Sequence, residues 1–172
     1  MQRGITLCLL TVCCSMIGFL KAGHEDGRLK DLKIWYRITL LLQSEISYKR
    51  TPLPEAFTDI AGKVEEPYRR FLLEVSGEMR QMRDAPLSVI FSENVERYLA
   101  DTCLNGEERK RLMELGADLG FLDKQMQLDT LESFRLEYRS KIDELQQQLP
   151  VKKKLYRSLG VMGGLFLAVL FL

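Results

Sequence analysis

Residues 123–149, DKQMQLDTLESFRLEYRSKIDELQQQL, place apolar side chains at Leu128, Leu131, Phe134, Tyr138, Ile142, Leu145 and Leu149. Steps of three and four gather these positions on one face of a 3.6-residue helix, whereas a half-buried strand would need alternation. Asp123 stands where a side-chain oxygen caps the first turn. Gln146 to Gln148 favour continued helix, and Pro150, which lacks an N–H, is expected to kink or interrupt it.

The same rhythm extends back along the chain. Asn105-Gly106-Glu107-Glu108 begins a helix that turns Leu112, Leu115 and Leu119 inward, and Gly120 is placed for a left-handed C-terminal cap. Gly116 and Gly120, four apart, suit close helix packing or capping. Asp84-Ala85-Pro86 starts another helix with a stripe of Leu87, Ile90, Phe91, Val95, Tyr98 and Leu99. Pro67 opens PYRRFLLEVSGEMRQM, where Glu65/Arg69 and Glu66/Arg70 have the i,i+4 spacing of an exposed face.

At Thr51-Pro52-Leu53-Pro54-Glu55, Thr51 is a candidate cap and Pro52 suits a first helical position, so a short helix is expected from there to about Gly62. Leu29, Leu32, Trp35, Ile38, Leu42 and Ile46 predict the first helix over about 28–48, with Trp35 in the core. No stretch alternates with period two for long. The predicted fold is all-α, a six-helix cytoplasmic bundle over 22–154.

The two ends differ in kind. Ser158–Leu172 is uncharged and follows Lys152, Lys153, Lys154 and Arg157. Its length, about 22 Å as helix, falls short of a hydrocarbon core of roughly 30 Å, and the deficit shrinks if Leu155 and Tyr156 enter the interface while the basic side chains snorkel. A buried core helix is the competing assignment, though such a helix is rarely apolar on every face. Gly4–Leu20 is likewise uncharged, between Arg3 and Lys21. A retained anchor is favoured there over a cleaved signal, because Lys21 and Leu20 spoil the small-residue cleavage pattern. The expected organisation is an N-terminal transmembrane helix at 1–21, the helical domain at 22–154 and a C-terminal transmembrane helix at 155–172. The basic residues flanking both spans lie between them, which orients the domain to the cytoplasm. Gly160, Gly163 and Gly164 give the last span a small-residue helix-packing face, Gly160 and Gly164 at the G-x-x-x-G spacing.

Charge is balanced, 25 Lys and Arg against 24 Asp and Glu, and the domain body is mildly acidic without the 152–157 cluster. That argues against a nucleic-acid surface. Cys8, Cys13 and Cys14 fall in the first apolar segment and Cys103 stands alone, so no disulfide or zinc spacing arises. The one histidine, His24, has no partner nearby in sequence. There is no phosphate loop and no nucleophile motif. A pair such as Glu114 and Asp118 reads as solvated helix surface. No catalytic residue, cofactor or metal is expected, and the chain is not expected to be an enzyme.

Four stretches carry a resemblance over essentially the whole chain. They are Ser44-Glu45-Ile46 leading into Thr51-Pro52-Leu53-Pro54-Glu55-Ala56-Phe57; Pro86-Leu87-Ser88; Leu115-Gly116-Ala117-Asp118-Leu119-Gly120-Phe121-Leu122-Asp123 with Gln127; and Leu155-Tyr156-Arg157-Ser158-Leu159-Gly160-Val161 with Gly163 and Gly164. In this order they resemble the stage III sporulation protein AB family of endospore-forming bacteria. Phe57 stands where leucine is common in that family, and the first span is less aliphatic than usual.

The resemblance implies a cytoplasmic domain similar to those of the inner-membrane platform protein of type II secretion and type IV pilus systems. It implies a non-catalytic platform of the mother cell–forespore channel, in the mother-cell membrane, docking the hexameric stage III sporulation ATPase among other membrane proteins of that complex. A homo-oligomer is left open. The motif residues Pro52, Leu53, Glu55, Ala56, Leu115, Gly116, Leu119, Gly120, Asp123 and Gln127 would then serve structure or interaction. From the residues alone, a membrane-tethered helical adaptor or sensor without an ATPase partner is the alternative.

Overall fold

A computed structural model describes the backbone of residues 2–49, 51–81, 85–121 and 123–170, and the side chains of 23–49, 51–81, 85–120 and 123–151 together with those of 155, 158 and 162. Among the described residues all regular structure is helical: α1 (Gln2–Ser44), a π-helical turn (Glu45–Lys49), α2 (Leu53–Ala61), α3 (Tyr68–Gln81), α4 (Leu87–Tyr98), α5 (Gly106–Phe121) and α6 (Lys124–Leu170). The expected all-α class is observed, with six helices. The backbone of 2–21 belongs to α1 and that of 155–170 to α6. No described helix is long and apolar enough to cross a membrane, and the side chains of 1–21 and most of 155–172 lie outside the described residues.

The chain divides into two compact units, Lys30–Ile142 and Met1–Leu29 with Asp143–Leu172. In the larger unit α2 packs on α3, α3 on α4, and α4 on α5. An aromatic chain runs through its core. Trp35 meets Tyr68 edge-on at 5.8 Å and Phe71 at 5.7 Å, and Phe71 meets Phe91 at 5.1 Å. Trp35 is buried in this core, as its position in the apolar stripe requires. Edge-to-face rings add to the area they bury. Phe134 and Tyr138 of α6 stack at 4.3 Å, with Arg111 of α5 over the Phe134 ring.

Capping explains several boundaries. The Asn105 side chain accepts the Glu108 N–H (2.8 Å) while the Glu108 carboxylate accepts the Asn105 N–H (2.9 Å), a reciprocal capping box that opens α5. Asp123 accepts the Met126 N–H at 2.9 Å and caps α6 as expected.

Other expectations are corrected. Thr51 does not cap α2; Pro52 occupies that position without a side-chain hydrogen bond, and its carbonyl accepts the Ala56 N–H at 2.9 Å. The Thr51 hydroxyl points instead to the Glu45 carboxylate. Glu65, Glu66, Arg69 and Arg70 form the exposed face their spacing suggests, but Glu65 precedes α3 and its carboxylate pairs across to Lys30 at 3.2 Å, while Glu66 accepts the backbone N–H of Arg70.

Gly120 is not a left-handed cap, since no described glycine has positive φ and α5 continues through it to Phe121. It is a contact point: a Cβ there would come within 2.9 Å of the Leu87 Cβ. Gly116 is tighter still, with a Cβ falling 2.3 Å from Phe91 Cγ. The two glycines let α5 lie directly on α4.

The smaller unit is helical where described. Leu145 and Leu149 are buried, and Gln148 donates to Glu144 at 2.8 Å. Pro150 does not interrupt α6, which runs through it. Pro150 is exposed, so the carbonyl it leaves without a partner can turn to water, and a 47-residue helix absorbs the loss of one bond.

Candidate functional site: a groove built from the motif stretches

The π-helical turn, Thr51 and Pro52 with the first turn of α2, α3 and the start of α6 surround a groove of about 660 Å³. Ile46, Leu53, Pro54 and Met79 supply apolar lining, and Thr51, Gln127 and Lys124 supply the polar groups around Pro52. The size lies within the range of binding pockets, roughly 300–1,000 Å³.

Each wall is fixed by specific bonds. The Pro54 carbonyl accepts from the Ser76 hydroxyl at 2.6 Å and the Thr58 hydroxyl at 3.1 Å, and Arg80 donates to Thr58 at 3.2 Å, locking the start of α2 to α3. Gln127, which lines the groove, donates its amide N–H to the Leu119 carbonyl at 2.8 Å, tying the start of α6 to α5. Lys124 donates to the Ser47 carbonyl at 3.3 Å, tying the start of α6 to the π turn.

Behind the loop lies a buried carboxylate. Glu45 is 3% exposed. Its Oε1 accepts from Lys49 at 2.9 Å and Lys63 at 3.3 Å, and Oε2 faces the Thr51 hydroxyl. One side chain thus joins the π turn, the loop and the end of α2. The Lys49 hydrogen bond holds the Glu45 carboxyl below its ordinary range against the opposing effect of burial, and Lys63 adds to the lowering. A buried charge needs such partners.

The structure brings some predicted site residues together and separates others. Pro52, Leu53 and Gln127 line the groove, and Asp123 caps the helix that carries Gln127. Glu55 is exposed on the first turn of α2, while Ala56 is core. Leu115 and Leu119 are buried, and Gly116 and Gly120 press on α4. That motif therefore shapes the bundle more than the groove. The side chains of Lys21, Lys152, Lys153, Lys154, Arg157, Gly160, Gly163 and Gly164 lie outside the described residues.

Lys49, Lys63, Met79 and Lys124 were not legible as site residues. Glu45 had a signal: it occupies a position of the buried stripe between Leu42 and Ile46, where a carboxylate demands an explanation. A second depression of about 340 Å³ is lined by Glu96, Arg109 and Lys110 among others, and Arg109 is used there to hold the Ala100 carbonyl. Cys103 is a poor nucleophile, its thiol pushed up by burial and then by Asp31. Among the described residues no cluster of His, Cys, Asp and Glu is arranged to hold a metal.

Comparison with known proteins gives a consistent picture. The family profile described as stage III sporulation protein AB matches residues 3–172. Stage III sporulation protein AB of Bacillus subtilis (strain 168) is 23% identical over 163 residues, covering 95% of each chain. A solved structure of a stage III sporulation protein AB superimposes with a TM-score of 0.64 at 19% identity, over 72% of this chain and 96% of the other.

Proposed function

The chain belongs to the stage III sporulation protein AB family, and from that membership we propose that it is a non-catalytic membrane scaffold of the channel complex joining mother cell and forespore, which docks a cytoplasmic ATPase to the membrane assembly. The observation that carries the docking role is the convergence of two separate motif stretches, Thr51–Pro54 and Gln127, on one preformed groove. Apolar lining with a few fixed polar groups suits capture of a partner's side chains. The groove is held by a network spanning three elements, so little ordering is required on binding.

The sequence supports the membrane part of the proposal. Apolar end segments flanked by Lys21, Lys152, Lys153, Lys154 and Arg157 favour two spans with the helical domain in the mother-cell cytoplasm. Protease added from the cytoplasmic face is expected to digest 22–154; a protected domain overturns that orientation.

Pro52→Asp tests the docking surface. Aspartate is itself a favoured helix N-cap, so α2 should persist while a charge enters the rim. ATPase captured by the full-length protein in detergent should fall about tenfold, a change of about 1.4 kcal/mol, with the thermal midpoint retained. Unchanged capture would place the partner elsewhere.

A further inference from the structure

We infer that the outer seam between α1 and α6 of the larger unit is a two-fold interface for a second copy of this chain. Gln43 donates to Glu132 at 3.1 Å, and Lys124 donates to Ser47 at 3.3 Å, so these helix segments lie side by side and antiparallel. By helix spacing, Leu40 and Leu136 each lie about one turn along the seam from the Gln43–Glu132 bond, on the same side of it. Leu136 is 55% exposed and Leu40 36% exposed, an apolar pair open to solvent. The same face continues through Ser44 and Ser133, exposed and small enough for another helix to approach.

Charge selects the occupant. From the leucine pair, one direction along the seam carries Arg37 and Arg139 at about 4.5 Å of helix rise and Lys33 at about 10 Å; the other carries Glu132 at about 6 Å and Asp129 at about 10 Å. Lys33, Arg37, Arg139 and Asp129 are exposed. Glu132 is 38% exposed and already pairs with Arg135 and Gln43. A two-fold axis that crosses the seam obliquely between the two leucines makes each helix cross its neighbour's copy, bringing Leu40 and Leu136 near their copies, Arg37 toward Glu132 and Lys33 toward Asp129. An isologous contact needs this self-complementarity, in which residue i meets j and j meets i. The apolar patch is small, so the contact is weak in dilute solution and strengthened when chains are concentrated together on one surface. The interface is separate from the groove and does not depend on ATPase docking.

The test uses the full-length chain in membranes, with Cys8, Cys13, Cys14 and Cys103 replaced by serine. Leu136→Cys should crosslink to its copy through a short bismaleimide at least tenfold more than Leu73→Cys, an exposed position on α3. Equal yields at the two sites, or none at 136, overturn the interface. Lys33→Asp and Asp129→Lys should each cut the 136 crosslink at least fivefold, and the double variant should restore it. Circular dichroism confirms that each variant is folded, and failure of the double variant to restore crosslinking refutes the two-fold pairing. ATPase capture, measured in parallel, reports on the groove alone.

Discussion

Gly116→Ala is expected to destabilise the larger unit by about 1–3 kcal/mol. The added methyl would sit 2.3 Å from Phe91 Cγ and 2.5 Å from its Cβ. Phe91 has nowhere to retreat, because it is 1% exposed and held edge-on by Phe71. The strain must be relieved by moving α5 away from α4. At this chain length the thermal midpoint should drop by roughly 3–10 °C.

Two comparisons separate this cause from helix propensity. Gly77→Ala, inside α3 with nothing within 4 Å of the added carbon, should be neutral or stabilising by up to about 1 kcal/mol. Phe91→Leu should cost stability alone yet lessen the effect of Gly116→Ala, since the two act on one contact. Strict additivity in that double-mutant cycle would show that the glycine does not act through Phe91.

Glu45→Ala is expected to lower the thermal midpoint by roughly 5 °C and to reduce ATPase capture more than that loss alone explains. Removing the carboxylate frees Lys49, Lys63 and Thr51 together. The two ammonium groups are 59% and 43% exposed, and Lys49 keeps Asp59 at 4.0 Å, so the main loss is the tie between three segments.

Acid titration isolates the charge. The folded-state value of Glu45 is depressed below its ordinary value near 4.5, so the folded protein binds fewer protons than the unfolded chain there. The stabilisation is complete above that value and is lost as pH falls through the lower folded one. Glu45→Gln should therefore be less stable than the parent at neutral pH, with a flatter decline below about pH 4.5. Parallel acid limbs for the two proteins would exclude a role for the ionised carboxylate.

Much of this architecture was legible because helices announce themselves locally. The stripe through Leu131, Phe134, Tyr138 and Ile142 is buried as its spacing requires, and Asp123 and Asn105 cap the helices they precede. Errors came where a partner distant in sequence outbid a local rule. Thr51 looked like a cap but faces Glu45, and the Glu65 carboxylate, at i,i+4 spacing from Arg69, reaches Lys30. Gly120 fits the cap pattern by position, yet Leu87 on the facing helix decides its role.

The candidate site shows the same division. The sequence by itself determined the all-helical class and most helix boundaries, because hydrophobic period, caps and turn residues act over a few positions, while Thr51–Pro54 and Leu115–Gln127 stood out through the family resemblance. Only the tertiary structure decided that Pro52 and Gln127 share one groove, that Glu45 fastens it, and that Gly116 belongs to the α4–α5 contact instead. Those outcomes depend on which helix faces lie together in space, and such long-range proximity leaves no periodic signature in a single chain.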